Sequence, residues 1–319
     1  SAPASAPDEK RAARAVLRPL ALGTEKTSEQ GGEITIYGSI VNLLSKEFMK
    51  ARLGEKIEAA KILKIASIIV EYVTNVREEA LLHVARGSEK SRVESHSANV
   101  GILAAVLGMP LKMKGIDLTN IVTGAILHDI GILLMQDEMS GEAGGDADRV
   151  KDHTWQGFRY LKSIRNLDPD AVMPALQHHE KAGGDGYPQK LTLHEMEPSS
   201  RLVSLCDSFD NQISFLKYGN DLSIHFTKNE FVGWKKEDFD QRMFTASIRI
   251  MGEIFKPRTP VILNDGSLAL VKEVSIRFPF SPVVQVVADD KGSRISENRI
   301  VDTRKGRDVW IARFVKRTP

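Results

Sequence analysis

This sequence predicts a mainly α fold, a helical bundle followed by a small β-rich C-terminal segment. Three observations lead there. Apolar residues recur three or four positions apart through a long middle stretch, the period of a helix with one buried face. Past Lys256 that period gives way to short β-rich runs. Within the helical part, several histidines and aspartates interrupt apolar runs, where a polar group is costly to bury without a partner.

Taken in order, residues 1–32 are rich in Ala, Pro, Ser and charge, hold no sustained apolar period, and are expected to form a flexible arm. Residues 33–56 read as a small element: Glu33 to Tyr37 alternates like a short strand, and Ile40 to Arg52 carries helical spacing. The main domain is expected over 57–256, with helices at Ile57–Val76, Arg92–Leu107, Asn120–Met135, His153–Ile164, Asp168–His179, Ser199–Ile213 and Asp238–Phe255. Ser140–Asp148 is glycine-rich and reads as a mobile loop between two of them. Residues 257–319 form the β-rich unit, with strands at Pro260–Leu263, Leu268–Val274, Val283–Ala288 and Val309–Val315. Asn264-Asp265-Gly266 is a hairpin signal between the first two.

Composition bounds the function. Hydrophobic residues make up 42% and charged residues 27% of the 319, enough to bury a core and to exclude a wholly disordered chain. The 44 basic and 42 acidic side chains leave a net charge of +2, too small for a long-range pull on a nucleic-acid polymer or an anionic membrane. The most apolar stretch, Ile121–Met135, is broken by His128 and Asp129 and is shorter than the roughly 18 apolar residues a membrane span needs. A single cysteine, Cys206, forms no internal disulfide and suits a reducing cytoplasm. The opening Ser-Ala-Pro-Ala-Ser-Ala-Pro has no initiator Met and no signal pattern, and is expected to be a processed or engineered end.

Eight histidines are present. His83, His194 and His225 read as ordinary core or surface residues. His96 shares a helical face with Val100, Leu103 and Leu107, and His128 follows Ile121 and Ala125 at helical spacing, so both point inward. His128 is followed at once by Asp129, and an ionised carboxylate among apolar residues calls for a cation. His178 and His179 form a second adjacent pair, ahead of Glu180 and the loop Lys181-Ala182-Gly183-Gly184-Asp185-Gly186-Tyr187-Pro188. Asp207 breaks another apolar helix. Convergence on a metal site accounts for all of these interruptions together. Carboxylates with imidazoles and no usable thiolates suit Fe, Mn, Zn, Co or Ni.

The set His96, His128-Asp129, His153, His178-His179-Glu180, Gly184-Asp185-Gly186-Tyr187-Pro188 and Asp207 resembles the HD-GYP family, a bacterial branch of the HD phosphohydrolases, over roughly Glu58 to Phe255. The resemblance implies an HD-type bundle. It also implies hydrolysis of cyclic di-GMP or a related cyclic dinucleotide, to linear pGpG or on to GMP. Two divalent transition-metal ions are implied, with iron the first expectation. By the same resemblance His96, His128, Asp129 and Asp207 would hold one ion, and Asp129, His153, His178 and His179 the other. His128 and Asp129 would be the catalytic pair. Substrate contacts would fall to Gly186, Tyr187, Pro188, Lys181, Arg201 and Lys217. GGDEF-domain proteins docking on the GYP loop, a second copy of the chain, and a bacterial cytoplasmic setting complete the expectation.

The sequence departs from the family at several places. Ile132 stands where the HD motif continues to a lysine, and Leu216, Lys217, Tyr218 and Gly219 stand where an Arg-Pro-Tyr-Lys run is usual. Gly183 replaces an Asp or Asn. Arg92 holds the place of a glutamate that binds a third metal in some members, so two ions are expected. The missing cations support a second reading, a degenerate HD-GYP module that keeps its metal centre and works as a nucleotide sensor or protein-interaction scaffold.

Overall fold

The computed structural model describes residues 35–86, 92–113, 115–135, 150–218, 236–252, 255, 257–275, 278–295, 299–303, 309 and 311–314. The expected N-terminal arm, the 140–148 loop and His225 lie outside these residues. Nine α-helices and five strands are described: α1 Ile36–Arg52, α2 Ala59–Arg86, α3 Arg92–Leu111, α4 Leu118–Leu127, α5 Ile130–Leu134, α6 His153–Lys162, α7 Pro169–Gln177, α8 Pro198–Tyr218, α9 Gln241–Gly252, then β1 Pro260–Leu263, β2 Leu268–Ser275, β3 Phe278–Ala288, β4 Ile300–Asp302 and β5 Ile311–Phe314.

The middle of the bundle is α4. Every residue from Ile121 to Leu127 is buried, so this helix has no solvent face and must be enclosed on all sides. Helices α2, α3, α7 and α8 supply that enclosure. Asp117 caps its start, its carboxylate accepting from the Thr119 amide at 2.6 Å. Gly124 permits a close crossing: a Cβ there would lie 2.7 Å from Pro174 Cγ on α7. The buried position of α4 matters because its C-terminal end delivers His128 to the interior.

Two sequence expectations change. Where the expected strand Glu33–Tyr37 is described it is not a strand, because Ile36 and Tyr37 already belong to α1, with Thr35 as N-cap accepting from the Gly38 amide at 3.0 Å. Burial of Tyr37, Ile40, Leu44 and Phe48 along one helical face outweighs the local alternation. The single helix expected over Asn120–Met135 is two, α4 and α5, parted at His128 and Asp129, where Asp129 takes φ −100° and ψ 13°.

The strands form one antiparallel sheet in the order β4-β3-β2-β1-β5. Val261 pairs with Ala269 and with Phe314, and Val271 pairs with Val284. Val261, Leu263, Ala269, Val271, Val284, Val286 and Ile311 are buried, the one-faced pattern of a sheet lying on a core. Strand β5 packs on α2 and β3 on α9, so the sheet joins the helical core. At the β1–β2 hairpin Gly266 adopts φ +85°, as the Asn-Asp-Gly signal requires. No helix among the described residues is long and apolar enough to cross a membrane.

Candidate metal centre

Seven side chains from separate helix ends and faces meet inside the bundle. His96 comes from the first turns of α3, His128 and Asp129 from the α4–α5 break, and His153 from the start of α6. His178 and His179 follow the end of α7, and Asp207 lies midway along α8. The break explains how two consecutive residues serve one centre. In a continuous helix neighbours point about 100° apart, whereas the turn at Asp129 swings its carboxylate back beside His128.

The donor atoms fall into two sets. One atom from each of His96, His128 and Asp207 lies within 4.8 Å of the others, and the same holds for Asp129, His153, His178 and His179. Asp129 faces both. Its Oδ2 is 3.6 Å from His96 Nε2 and 3.5 Å from His128 Nε2, while its Oδ1 is 3.4 Å from Nε2 of both His153 and His178.

Hydrogen bonds to backbone fix which ring nitrogen is available. Nδ1 of His128, His153 and His178 approaches Ala125 O at 2.7 Å, Val150 O at 2.5 Å and Pro174 O at 2.8 Å. A carbonyl only accepts, so each Nδ1 carries a proton and each ring, in its neutral form, turns an Nε2 lone pair inward. Nε2 of His153 then lies 3.3 Å from Nε2 of His178, two lone pairs that cannot bond one another. Nε2 of His96 and His128 are 3.2 Å apart. Imidazole lone pairs and buried carboxylates aimed at common points fit divalent cations, and the donor set therefore accommodates the metal that its chemistry suggests.

The electrostatics divide the cluster. Burial, with the charges of His178 and His128 added and Asp129 opposing, pushes His153 down to about 4, and burial with His178 and His153 holds His179 well below the ordinary value. Both are therefore neutral at pH 7. Burial also disfavours charge on His96 and His128, yet Asp207 and Asp210 raise the first well above its ordinary pKa, and Asp129 and Asp207 raise the second. Burial opposes ionisation of Asp129 and Asp207, but the facing imidazoles hold both well below the carboxylate range.

Beside the second set runs the loop after α7. Glu180 is buried and its carboxylate accepts from the amides of Gln189 at 2.6 Å and Leu191 at 2.9 Å, which closes the loop on itself. The Tyr187 amide donates to His179 O at 3.2 Å, and the two rings stack at 4.6 Å and 24°. Gly186 is required there, since a Cβ would overlap the Glu180 and Lys181 backbone. Gly186, Tyr187 and Pro188 thus lie next to His179, and Lys151 Nζ is 5.7 Å from the Tyr187 ring centre.

The other expected substrate contacts have protein partners. Lys181 pairs with Asp238 at 3.5 Å. Arg201 donates to Met196 O at 3.1 and 2.8 Å and pairs with Asp240 at 3.6 Å. Lys217 lies in the last turn of α8, and its side chain is outside the described residues. His83 stacks on Tyr37 at 5.1 Å and His194 is exposed, away from the cluster.

Residues 82–226 match the family described as HD domain, and residues 260–318 match the KOW domain associated with HD domain. Residues 82–226 therefore carry the likeness to HD-domain proteins, and the relatives that follow support the HD-GYP resemblance. It is 29% identical over 166 residues to a cyclic di-GMP phosphodiesterase of Thermotoga maritima, covering 50% of this chain and 45% of that protein. It is 22% identical over 221 residues to the cyclic di-GMP phosphodiesterase PdeB of Borreliella burgdorferi, covering 66% of this chain and 58% of the relative. The chain therefore spans about half the length of these relatives. A solved HDG"Y"P protein from Bdellovibrio bacteriovorus shares its fold at a TM-score of 0.50 and 17% identity, over 70% of this chain and 74% of the other.

One feature of the centre was missed from the sequence. Asp210 Oδ2 lies 2.7 Å from His96 Nδ1, giving that ring the acceptor that backbone carbonyls give the others. The spacing Asp207-Ser208-Phe209-Asp210 held the signal, because residues three apart share a helix face.

Proposed function

We propose that this chain is a metal-dependent phosphodiesterase that hydrolyses cyclic di-GMP or a related cyclic dinucleotide to the linear form. The observation that carries the reading is the shared carboxylate: Asp129 sets one oxygen toward each of two histidine groups. On this reading His96, His128, Asp129 and Asp207 hold one divalent ion, and Asp129, His153, His178 and His179 hold the other, with iron the leading candidate. Two such ions side by side lower the pKa of a water between them and neutralise charge on phosphoryl oxygens.

The protein's own contribution is orientation. The Nδ1 bonds to Ala125, Val150 and Pro174 hold each imidazole with Nε2 facing inward, so no ring has to turn before binding. The 186–188 loop, locked through Glu180, forms a wall beside His179, and Lys151 brings a cation to that wall. Docking of GGDEF-domain proteins on this loop, a homodimer and a bacterial cytoplasmic location rest on the resemblance alone.

Ile132 favours the second reading, a sensor or scaffold with an intact centre, because it places an aliphatic chain where the family has a lysine. Turnover decides between them. Anaerobically prepared protein loaded with Fe(II) or Mn(II) is expected to convert cyclic di-GMP to pGpG. Metal-replete protein that binds the nucleotide without converting it would assign the chain to the second class.

A further inference from the structure

Three buried side chains lead away from His96 in a line. Asp210 Oδ2 is 2.7 Å from His96 Nδ1, Asn99 Nδ2 donates to Asp210 Oδ1 at 2.9 Å, and Tyr37 Oη donates to Asn99 Oδ1 at 2.8 Å. Asp210 is 1%, Asn99 2% and Tyr37 7% exposed, so water does not compete for these bonds. The polarity of the line follows from its chemistry. An ionised Asp210 only accepts, which makes His96 Nδ1 a donor and turns the Asn99 amide so that its NH2 faces Asp210. The Asn99 oxygen then faces Tyr37, whose hydroxyl donates.

The three residues belong to three elements. Tyr37 is in the first turn of α1, Asn99 is one turn beyond His96 on α3, and Asp210 is one turn beyond Asp207 on α8. Asp210 therefore fixes the ring of one metal-directed residue while standing on the helix that supplies another. Helix α1 gives no atom to the donor sets. It nevertheless reaches them through one hydroxyl.

We propose that Asp210 is the positioning residue of His96, and that Tyr37, acting through Asn99, makes the first turn of α1 a control point for the metal site built on His96, His128 and Asp207. The inference rests on the metal-binding reading above. A carboxylate behind an imidazole keeps the ring in the ligand tautomer and raises its basicity. Loss of such a partner costs about 10–100-fold in metal affinity. Loss of the more distant Tyr37 hydroxyl, a single neutral hydrogen bond, costs about 2–10-fold. The site built on His153, His178 and His179 has its own backbone anchors and stays unchanged.

Co(II) titration of the metal-free protein, followed by visible absorption, reads the two sites without relying on turnover. Wild type is expected to bind two equivalents. Asp210→Ala is expected to weaken one of them at least tenfold and leave the other within about twofold, with Asp210→Asn intermediate because its amide oxygen still accepts from Nδ1. Tyr37→Phe, which keeps the ring on His83, shifts the same equivalent in the same direction by less. Two unchanged affinities in Asp210→Ala overturn the inference, and so does equal weakening of both equivalents, the mark of general loss of packing. Should Asp210→Ala fail to fold, unchanged affinities in both Asp210→Asn and Tyr37→Phe overturn it. A wild type that takes up no Co(II) would instead overturn the metal reading itself.

Discussion

Gly131 lies against the His153 carbonyl so closely that a Cβ on Gly131 would overlap it, and the same Cβ would stand 2.8 Å from the Gly157 amide. The α5–α6 contact is therefore backbone on backbone, and it holds the start of α6 beside Asp129. Gly131→Ala is expected to lower stability by about 3 kcal/mol, the upper end of overpacking costs. It should also weaken metal binding at the His153 site more than at the His96 site. Urea unfolding and metal titration check both parts, and a variant with wild-type values in each would refute the contact.

Asp129→Ala removes both oxygens that face the histidine groups. It is expected to lose both ions, whereas His153→Ala loses one. Elemental analysis after anaerobic purification gives the stoichiometries. Equal losses in the two variants would contradict a shared carboxylate.

Glu180→Ala leaves the Gln189 and Leu191 amides without their acceptor. Hydrogen bonds to a charged group contribute about 1.5–3 kcal/mol each, so a loss of about 3 kcal/mol is expected. Hydrogen exchange should show these two amides opening far faster than in wild type while α4 stays protected. Unchanged exchange at both would show that the carboxylate does not hold the loop.

Ile132→Lys restores a cation one helical turn past Asp129. A well-placed charge-assisted contact of about 1.5 kcal/mol corresponds to about tenfold tighter binding of a phosphodiester. The KM for cyclic di-GMP, or the Kd if turnover is absent, is the measurement. A variant no tighter than wild type would show that a cation at this position does not contribute to binding the phosphodiester.

Much of the helical part was legible because its core is built from periodic apolar residues, and period is a local property. The strands at 260–263 and 268–275 were legible for the same reason. Three features were not. Glu33–Tyr37 alternates as a strand does, and only the tertiary burial of Tyr37 decides for helix. The α4–α5 break has no glycine or proline to announce it, since the demand that bends the chain is two consecutive polar groups facing one centre. Strand β4 spans only Ile300–Asp302, too short for any period to register. Among site residues, those that break apolar helices stood out, but Asp210 gained meaning only once α3 and α8 were side by side.

The Asp210–His96 pair spans 114 positions of chain. A contact of such separation forms only after the intervening helices have been ordered, because closing a long loop costs entropy before the contact rewards it. During synthesis His96 leaves the ribosome long before Asp207 and Asp210 exist. The pairing that steadies His96 therefore waits on the distant end of the bundle.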